Sequence, residues 1–463
     1  MLLSLLLAAL PSAAASAISA RQGSSSICNE QCMTAWRAAL ARETALWSNS
    51  AIANDPFYDT PANATGARPG DLIRWQDVPA SAVGTNWTGI PGGMSLSRMI
   101  YMTEDIDRKP IPASAFILLP LSSATVRDPE GKAAFKTLAW AHGTTGNARH
   151  CSPSFERNLA YGWEAPLHFA ANGYAVIATD YSGMGATGSP AAFRYEAGLI
   201  HAADVAYSLV AARKIIGHLL TDEWAVLGHS EGGMTAWRTN ERLAMPGQEE
   251  LLKAGKFLGA VSAAPALRPA ELIPRSFEIA DKTGRIGAVV SVYLLQSLAR
   301  LRPDQFRLQD YLTDGALALL PLLDRGCLNS GQALFANLTV AQIYKNTSWV
   351  TSPALQEWQT RVNGAGPHAL AAPMLVVQGL NDTLTYPENC IKDFERTCAA
   401  FPASSAELYL VPELDHDPAF YAAMPYYWSW VEALFAGTLK PQAACTRSTV
   451  KPVNNHFQRA FNG

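Results

Sequence analysis

A serine hydroxyl attacks a carbonyl only when a base takes its proton and an acid orients that base. The stretch Gly228-His229-Ser230-Glu231-Gly232 offers such a serine. The apolar run 224–227 leads into it and the small-residue run 233–237 leads out. The pentapeptide therefore reads as a strand–turn–helix with Ser230 at the tip of the turn. A turn this tight holds the serine backbone in a strained conformation and lifts Oγ clear of the sheet. Flanking glycines leave room where a Cβ would meet the neighbouring strand and helix. An ordinary Gly-rich turn gives the same five letters, so the serine's partners have to be sought elsewhere in the chain.

On sheets that carry a nucleophile on such a turn, the acid follows the serine in the chain and the histidine follows the acid. Residues 374–377 read as a buried strand, and Gln378-Gly379-Leu380-Asn381-Asp382 as a turn ending on a carboxylate. Only His416 and His456 lie beyond Asp382. His456 sits in a polar C-terminal stretch, whereas His416 follows the strand-like run 407–411. Asp415 and Asp417 flank it, but adjacent residues rarely aim a carboxylate at their neighbour's Nδ1. The expected set is Ser230 as nucleophile, His416 as base and Asp382 as orienting acid. An oxyanion also needs two N–H donors. One is the amide of Glu231. The other is expected in His142-Gly143-Thr144-Thr145-Gly146, directly after the strand-like run 137–141, with Thr144 preferred and Thr145 next. The Glu231 side chain itself reads as packing or local hydrogen bonding. Residues 180–185 end another strand and put Tyr181 forward as a substrate-lining residue, although a structural turn reads equally well.

Eight strand-like runs can position these groups: 99–102, 115–119, 137–141, 174–179, 224–227, 257–262, 374–377 and 407–411. Helix-like runs at 33–46, 165–171 and 198–216 accompany them. Strands alternating with helices predict a mostly parallel sheet covered on both faces, with reactive groups at the carboxyl ends of its strands. The expected organisation is a signal at 1–20, an N-terminal extension at 21–95, a core at 96–266 and 369–440, a helical cap or lid at 267–368, and a tail at 441–463. Within the cap, the apolar run 286–301 reads as a lid helix, with Leu294 and Leu295 as substrate-lining candidates; a plain core helix is the alternative.

The 463 residues are 49% hydrophobic and 16% charged, with a net charge of −3 and no long basic run. That composition describes a globular protein with a large core and gives no reason to expect nucleic acid as a partner. Residues 2–10 form a short apolar segment followed by small residues, which predicts a cleaved secretory signal. In an oxidising compartment the seven cysteines favour disulfides, and their odd number leaves one thiol over. Their spacing fits zinc poorly, and neither a metal nor another cofactor is expected. Sequons at Asn63, Asn86, Asn337 and Asn346 predict glycosylated surface sites; a fifth, at Asn381, abuts the expected acid and should stay bare.

The segments WAHGTTG at 140–146, ATDYSGMG at 178–185, GHSEGG at 228–233, VVQGLND at 376–382 and LDH at 414–416 together resemble the secretory lipase family, in the secreted fungal lipase/esterase branch of the α/β-hydrolases. The resemblance spans roughly residues 95–440, including the helical insertion. It implies an α/β-hydrolase core with a helical cap and metal-free hydrolysis of a lipid or small-molecule ester, with a lipid–water interface as a candidate partner. It further implies disulfides Cys151–Cys327 and Cys390–Cys445, with Cys28–Cys32 as a local pair; Cys398 complicates this pairing. A peptidase of the same fold, and a hydrolase or acyltransferase acting on one secondary metabolite, are the alternative readings.

Overall fold

A sheet covered on both faces needs apolar side chains on both sides of each central strand. A computed structural model of the protein, describing residues 27–121, 134–188, 193–283, 288–440 and 444–452, shows that alternation. The strands are β1 (Leu72–Asp77), β2 (Met94–Glu104), β3 (Pro110–Pro120), β4 (Phe135–Ala141), β5 (Ala175–Thr179), β6 (Leu220–His229), β7 (Lys256–Ala263), β8 (Met374–Gly379), β9 (Ala406–Val411) and β10 (Thr446–Thr449). On β4, Ala139 and Ala141 join one core layer, while Leu138 and Trp140 join the other. On β8, Met374 and Val376 face the first layer, and Leu375 and Val377 the second. Helices Gly198–Ile216 and Glu231–Ala244 supply the first layer; Pro166–Ala171, His416–Ala422 and Met424–Phe435 supply the second.

The sheet order is β1-β2-β3-β5-β4-β6-β7-β8-β9-β10. Pairing is antiparallel from β1 through β3 to β5 and parallel from β5 onward. The carboxyl ends of β4, β6, β8 and β9 thus open on one edge, and four loops meet there. All eight strand-like runs fall in observed strands. Both outermost strands come from segments read as irregular: β1 from the expected extension and β10 from the expected tail. The expected signal segment, Ile286 and His456 lie outside the described residues.

The described residues of 264–373 contribute helices and no strand of the sheet. Helix Ala288–Leu301 crosses this cap, with Leu294 and Leu295 only 1% and 0% exposed in the main core layer. Neither offers surface to a ligand in this state, because the helix packs inward and leaves its polar residues to tie down neighbours. Gln296 accepts from the Asn147 amide at 2.7 Å, and Arg300 donates to the Phe193 carbonyl at 2.8 Å. The N-terminal helix Glu30–Ala45 lies against the cap helix Leu328–Phe335. Its Glu43 carboxylate accepts from the amides of Cys327 (2.9 Å) and Ser330 (3.0 Å), at the helix N-terminus where a negative charge is favourable. Among the described residues no helix is long and apolar enough to cross a membrane.

Disulfides join Cys28 to Cys32, Cys151 to Cys327 and Cys398 to Cys445. The expected Cys390–Cys445 bond is therefore corrected. Cys390 and Cys398 share helix Pro387–Ala400, but Cys390 is buried on its inner face, and it is the later Cys398 whose Cα lies 6.0 Å from that of Cys445. Cys390 is the free thiol. Asn337 and Asn346 are exposed, Asn86 is half-buried at the end of helix Ala80–Asn86, and Asn63 sits in the single turn Ala62–Ala64.

Candidate active site

Ser230 leaves β6 with φ 61° and ψ −122°, a backbone conformation that costs energy for any residue with a Cβ. The turn is held by the Ser230 amide, which donates to Ala263 O at 2.9 Å. A Cβ on Gly228 would strike the backbone of Gly232, and one on Gly232 would strike that of Ala141. The glycines are thus fixed by close backbone approach between strand, turn and helix. Ser230 itself stays half-exposed.

Asp382 ends the turn after β8 and is 3% exposed. Its Oδ1 accepts from the amides of Leu384 (2.8 Å) and Thr385 (2.9 Å). Its Oδ2 accepts from Thr385 Oγ1 (2.7 Å) and Gln378 Nε2 (3.0 Å) and meets His416 Nδ1 at 2.8 Å. Burial pushes this carboxyl up, but the His416 charge and these hydrogen bonds outweigh burial and hold it well below the usual carboxylate range. For His416 burial favours the neutral ring, yet Asp382, with smaller help from Asp417 and Asp415, raises it above its ordinary value. Asp415 has a different job: it caps helix His416–Ala422, accepting from the His416 amide at 2.7 Å.

His229 links the two halves of the site. Its ring lies 4.7 Å from the His416 ring, and its Nδ1 is 3.0 Å from the Tyr161 hydroxyl. Burial, then the neighbouring His416 charge, pushes its pKa down to about 4, so it stays neutral near pH 7. Among the described residues no hydrogen bond joins Ser230 Oγ to His416; such contacts commonly tighten only when substrate binds.

The loop after β4 lies against Ser230. A Cβ on Gly143 would sit 3.2 Å from Ser230 Cβ and 3.0 Å from His229 O. Among the described residues no hydrogen bond takes up the amide of Thr144 or of Glu231. Both are free to face developing negative charge, and Glu231 opens helix Glu231–Ala244, where such donors are unsatisfied. Thr145 is turned to structural use: Oγ1 donates to Cys151 O at 2.7 Å, and its carbonyl accepts from the Leu328 amide at 2.8 Å. Tyr181 is wholly buried beneath the loop, its hydroxyl donating to His142 O at 2.9 Å, so it supports the loop and lines no open surface.

Gln378, Thr385, Tyr161 and His229 were not singled out from the sequence. Thr385 carried a signal, since an aspartate followed three residues later by threonine suits a local side-chain turn. Gln378 and Tyr161 carried none. Among the described residues two groups of metal-ligand types come together, His229/His416/Asp417 and His150/Cys151/Cys327. In the second both sulfurs are bonded to each other; in the first both Nδ1 atoms already have partners.

Among curated proteins no sequence matches the chain. Its fold is similar to that of Candida antarctica lipase A, with a TM-score of 0.68 at 15% identity over 87% of this chain and 90% of that one. A putative hydrolase from Legionella pneumophila superposes with a TM-score of 0.63 at 16% identity, over 80% of this chain and 99% of that one. A mutant of the rice cell wall degrading esterase LipA from Xanthomonas oryzae gives 0.57 at 17% identity, over 80% and 98%. These likenesses concern the fold. The model of the alpha/beta hydrolase family matches residues 138–425, from within β4 to past His416, and the chain belongs to that family.

Proposed function

We propose that the protein is a secreted serine hydrolase that cleaves carboxylic esters through an acyl-enzyme. The observation that carries this reading is the buried Asp382–His416 contact of 2.8 Å beside a strained, half-exposed Ser230. Ser230 Oγ bonds to the ester carbonyl carbon while its proton passes to His416 Nε2. The carbonyl electron pair moves onto oxygen, where the amides of Thr144 and Glu231 receive it. Asp382 holds the imidazole in the tautomer with Nδ1–H and stabilises the cation. Collapse of the intermediate breaks the bond to the alcohol oxygen, which takes the proton from His416. Water then attacks the acyl carbon with His416 as base, and the acid leaves.

Three disulfides among the described residues support an oxidising, extracellular location. The fold likeness to a lipase and to an esterase supports an ester as substrate. The test is a panel of p-nitrophenyl esters run beside aminoacyl amides, with Ser230→Ala as control. Ester turnover that is lost in the variant is the expected result; turnover of the amides alone would make the protein a peptidase.

A further inference from the structure

Glu231 follows the nucleophile directly, and its side chain has no part in the chemistry above. It is 1% exposed, and among the described residues no Lys or Arg lies within ion-pair distance of it. Its Oε1 accepts from the Glu196 amide at 3.0 Å, and its Oε2 accepts from Thr144 Oγ1 at 3.4 Å. The Thr144 hydroxyl in turn lies 2.9 Å from the Tyr195 hydroxyl. Glu196 is itself held at φ 59°, an unfavourable conformation fixed from outside by Asn363 Nδ2, which donates to its carbonyl at 3.0 Å. The same segment carries the cap, since Ser297 of helix Ala288–Leu301 donates to Tyr195 O at 3.2 Å. One buried carboxyl therefore touches the elbow, the loop after β4 and the segment on which the cap helix rests.

We propose that the Glu231 side chain is a positioning residue for the oxyanion hole. By gripping Thr144 Oγ1 and the Glu196 amide together, it fixes the Thr144 backbone so that its N–H and the N–H of Glu231 point at one oxygen. The inference rests on the serine-hydrolase reading above and adds a residue to it. The link survives in either charge state: a carboxylate accepts from the Thr144 hydroxyl, and a neutral acid donates to it. The neutral amide of glutamine is a fair copy of the second arrangement. The His201 ring lies 3.8 Å from Oε1 but burial holds it neutral, and a buried acid without a charged partner is costly to keep, which fits a group retained for geometry.

The test uses p-nitrophenyl butyrate and three variants. Glu231→Ala is expected to lower kcat about 10- to 100-fold, the reach of one or two buried hydrogen bonds, with KM within about threefold of wild type. Thr144→Val keeps the amide but removes the hydroxyl, and should lose kcat over the same range. The double variant should be no worse than the poorer single one, because both cut one link. Glu231→Gln should recover most of the activity, since Oε1 still accepts from Glu196 and Nε2 donates to Thr144. Wild-type kcat in Glu231→Ala or Thr144→Val, multiplying losses in the double variant, or a Gln variant as poor as Ala would each overturn the proposal. Should Glu231→Ala not fold, loss in Thr144→Val with retention in Glu231→Gln supports the proposal, and any other pattern overturns it. Failure of the underlying reading looks different: a fluorophosphonate would then leave Ser230 unmodified in the wild-type protein.

Discussion

Asp382 Oδ2 meets His416 Nδ1 at 2.8 Å, while Asp415, next to His416 in the chain, directs its Oδ1 to the His416 amide instead. A carboxylate adjacent in sequence cannot easily reach its neighbour's ring, but it is well placed to cap the helix that the neighbour begins. The two aspartates should therefore separate in mutagenesis. Asp415→Ala is expected to cost about 1 kcal/mol of stability through the lost cap and to retain most ester turnover. Asp382→Asn should lose turnover by about 10⁴-fold in kcat, because the imidazole no longer has its tautomer fixed. Melting curves and kcat on both variants check this; activity lost in Asp415→Ala but kept in Asp382→Asn would move the acid.

The pH profile carries the sign of the same interaction. Asp382 raises His416 above its ordinary pKa of 6.5, and the base must be neutral to accept a proton. Activity should therefore rise with pH along a limb centred above 6.5 and reach its plateau on the alkaline side. Removing the negative charge in Asp382→Asn should move that limb to lower pH. The rate of Ser230 modification by a fluorophosphonate, followed against pH, reports it even where turnover is too slow to measure. A limb unmoved by the substitution would mean another group titrates.

The charge pair should also appear in stability. The folded His416 pKa lies above its unfolded value, so its stabilising contribution is fully present below about 6.5. That contribution fades as pH rises through the folded value. Asp382 is depressed, so its contribution is present above the ordinary carboxylate range and fades in acid. Wild type should lose Tm relative to a His416→Ala variant as pH is raised past the His416 value. A constant difference across that range would contradict the assignment.

Peptide mapping distinguishes the cysteines. A Cys398–Cys445 link and a Cys390 that reacts with iodoacetamide only after denaturation are the expected products. Cys390→Ser should leave all three disulfides intact.

Leu295 tests the cap. It is fully buried, so Leu295→Ala should lower stability by about 2–5 kcal/mol, the range for emptying a packed core position. A variant that shifts chain-length preference from acetate to palmitate esters without losing Tm would restore the substrate-lining role expected from the sequence.

Much of this architecture was legible because its signals are local. Residues 138–141, 224–227 and 374–377 are apolar throughout, as strands buried on both faces must be, and the run 198–216 matches helix Gly198–Ile216. The groups brought together at the carboxyl edge follow from chain order and strand ends. β1 and β10 carry no clear signal because edge strands bury little: β10 is Thr-Arg-Ser-Thr, without an apolar residue, which reads as loop. The burial of Leu294 and Leu295 is not legible for the opposite reason. An apolar helix has the same composition whether it faces a ligand or a core, and only the polar ties at Gln296 and Arg300 show which way it turns. Tyr161 and Gln378 reach the site through tertiary contacts that no spacing encodes.

The proposed chemistry stands or falls on Ser230 as the nucleophile. Its most direct measurement is peptide mass spectrometry of the protein after exposure to a fluorophosphonate. One adduct is expected, on Ser230, absent in Ser230→Ala and greatly slowed in His416→Ala. An adduct on a different residue, or ester hydrolysis undiminished in Ser230→Ala, would contradict it.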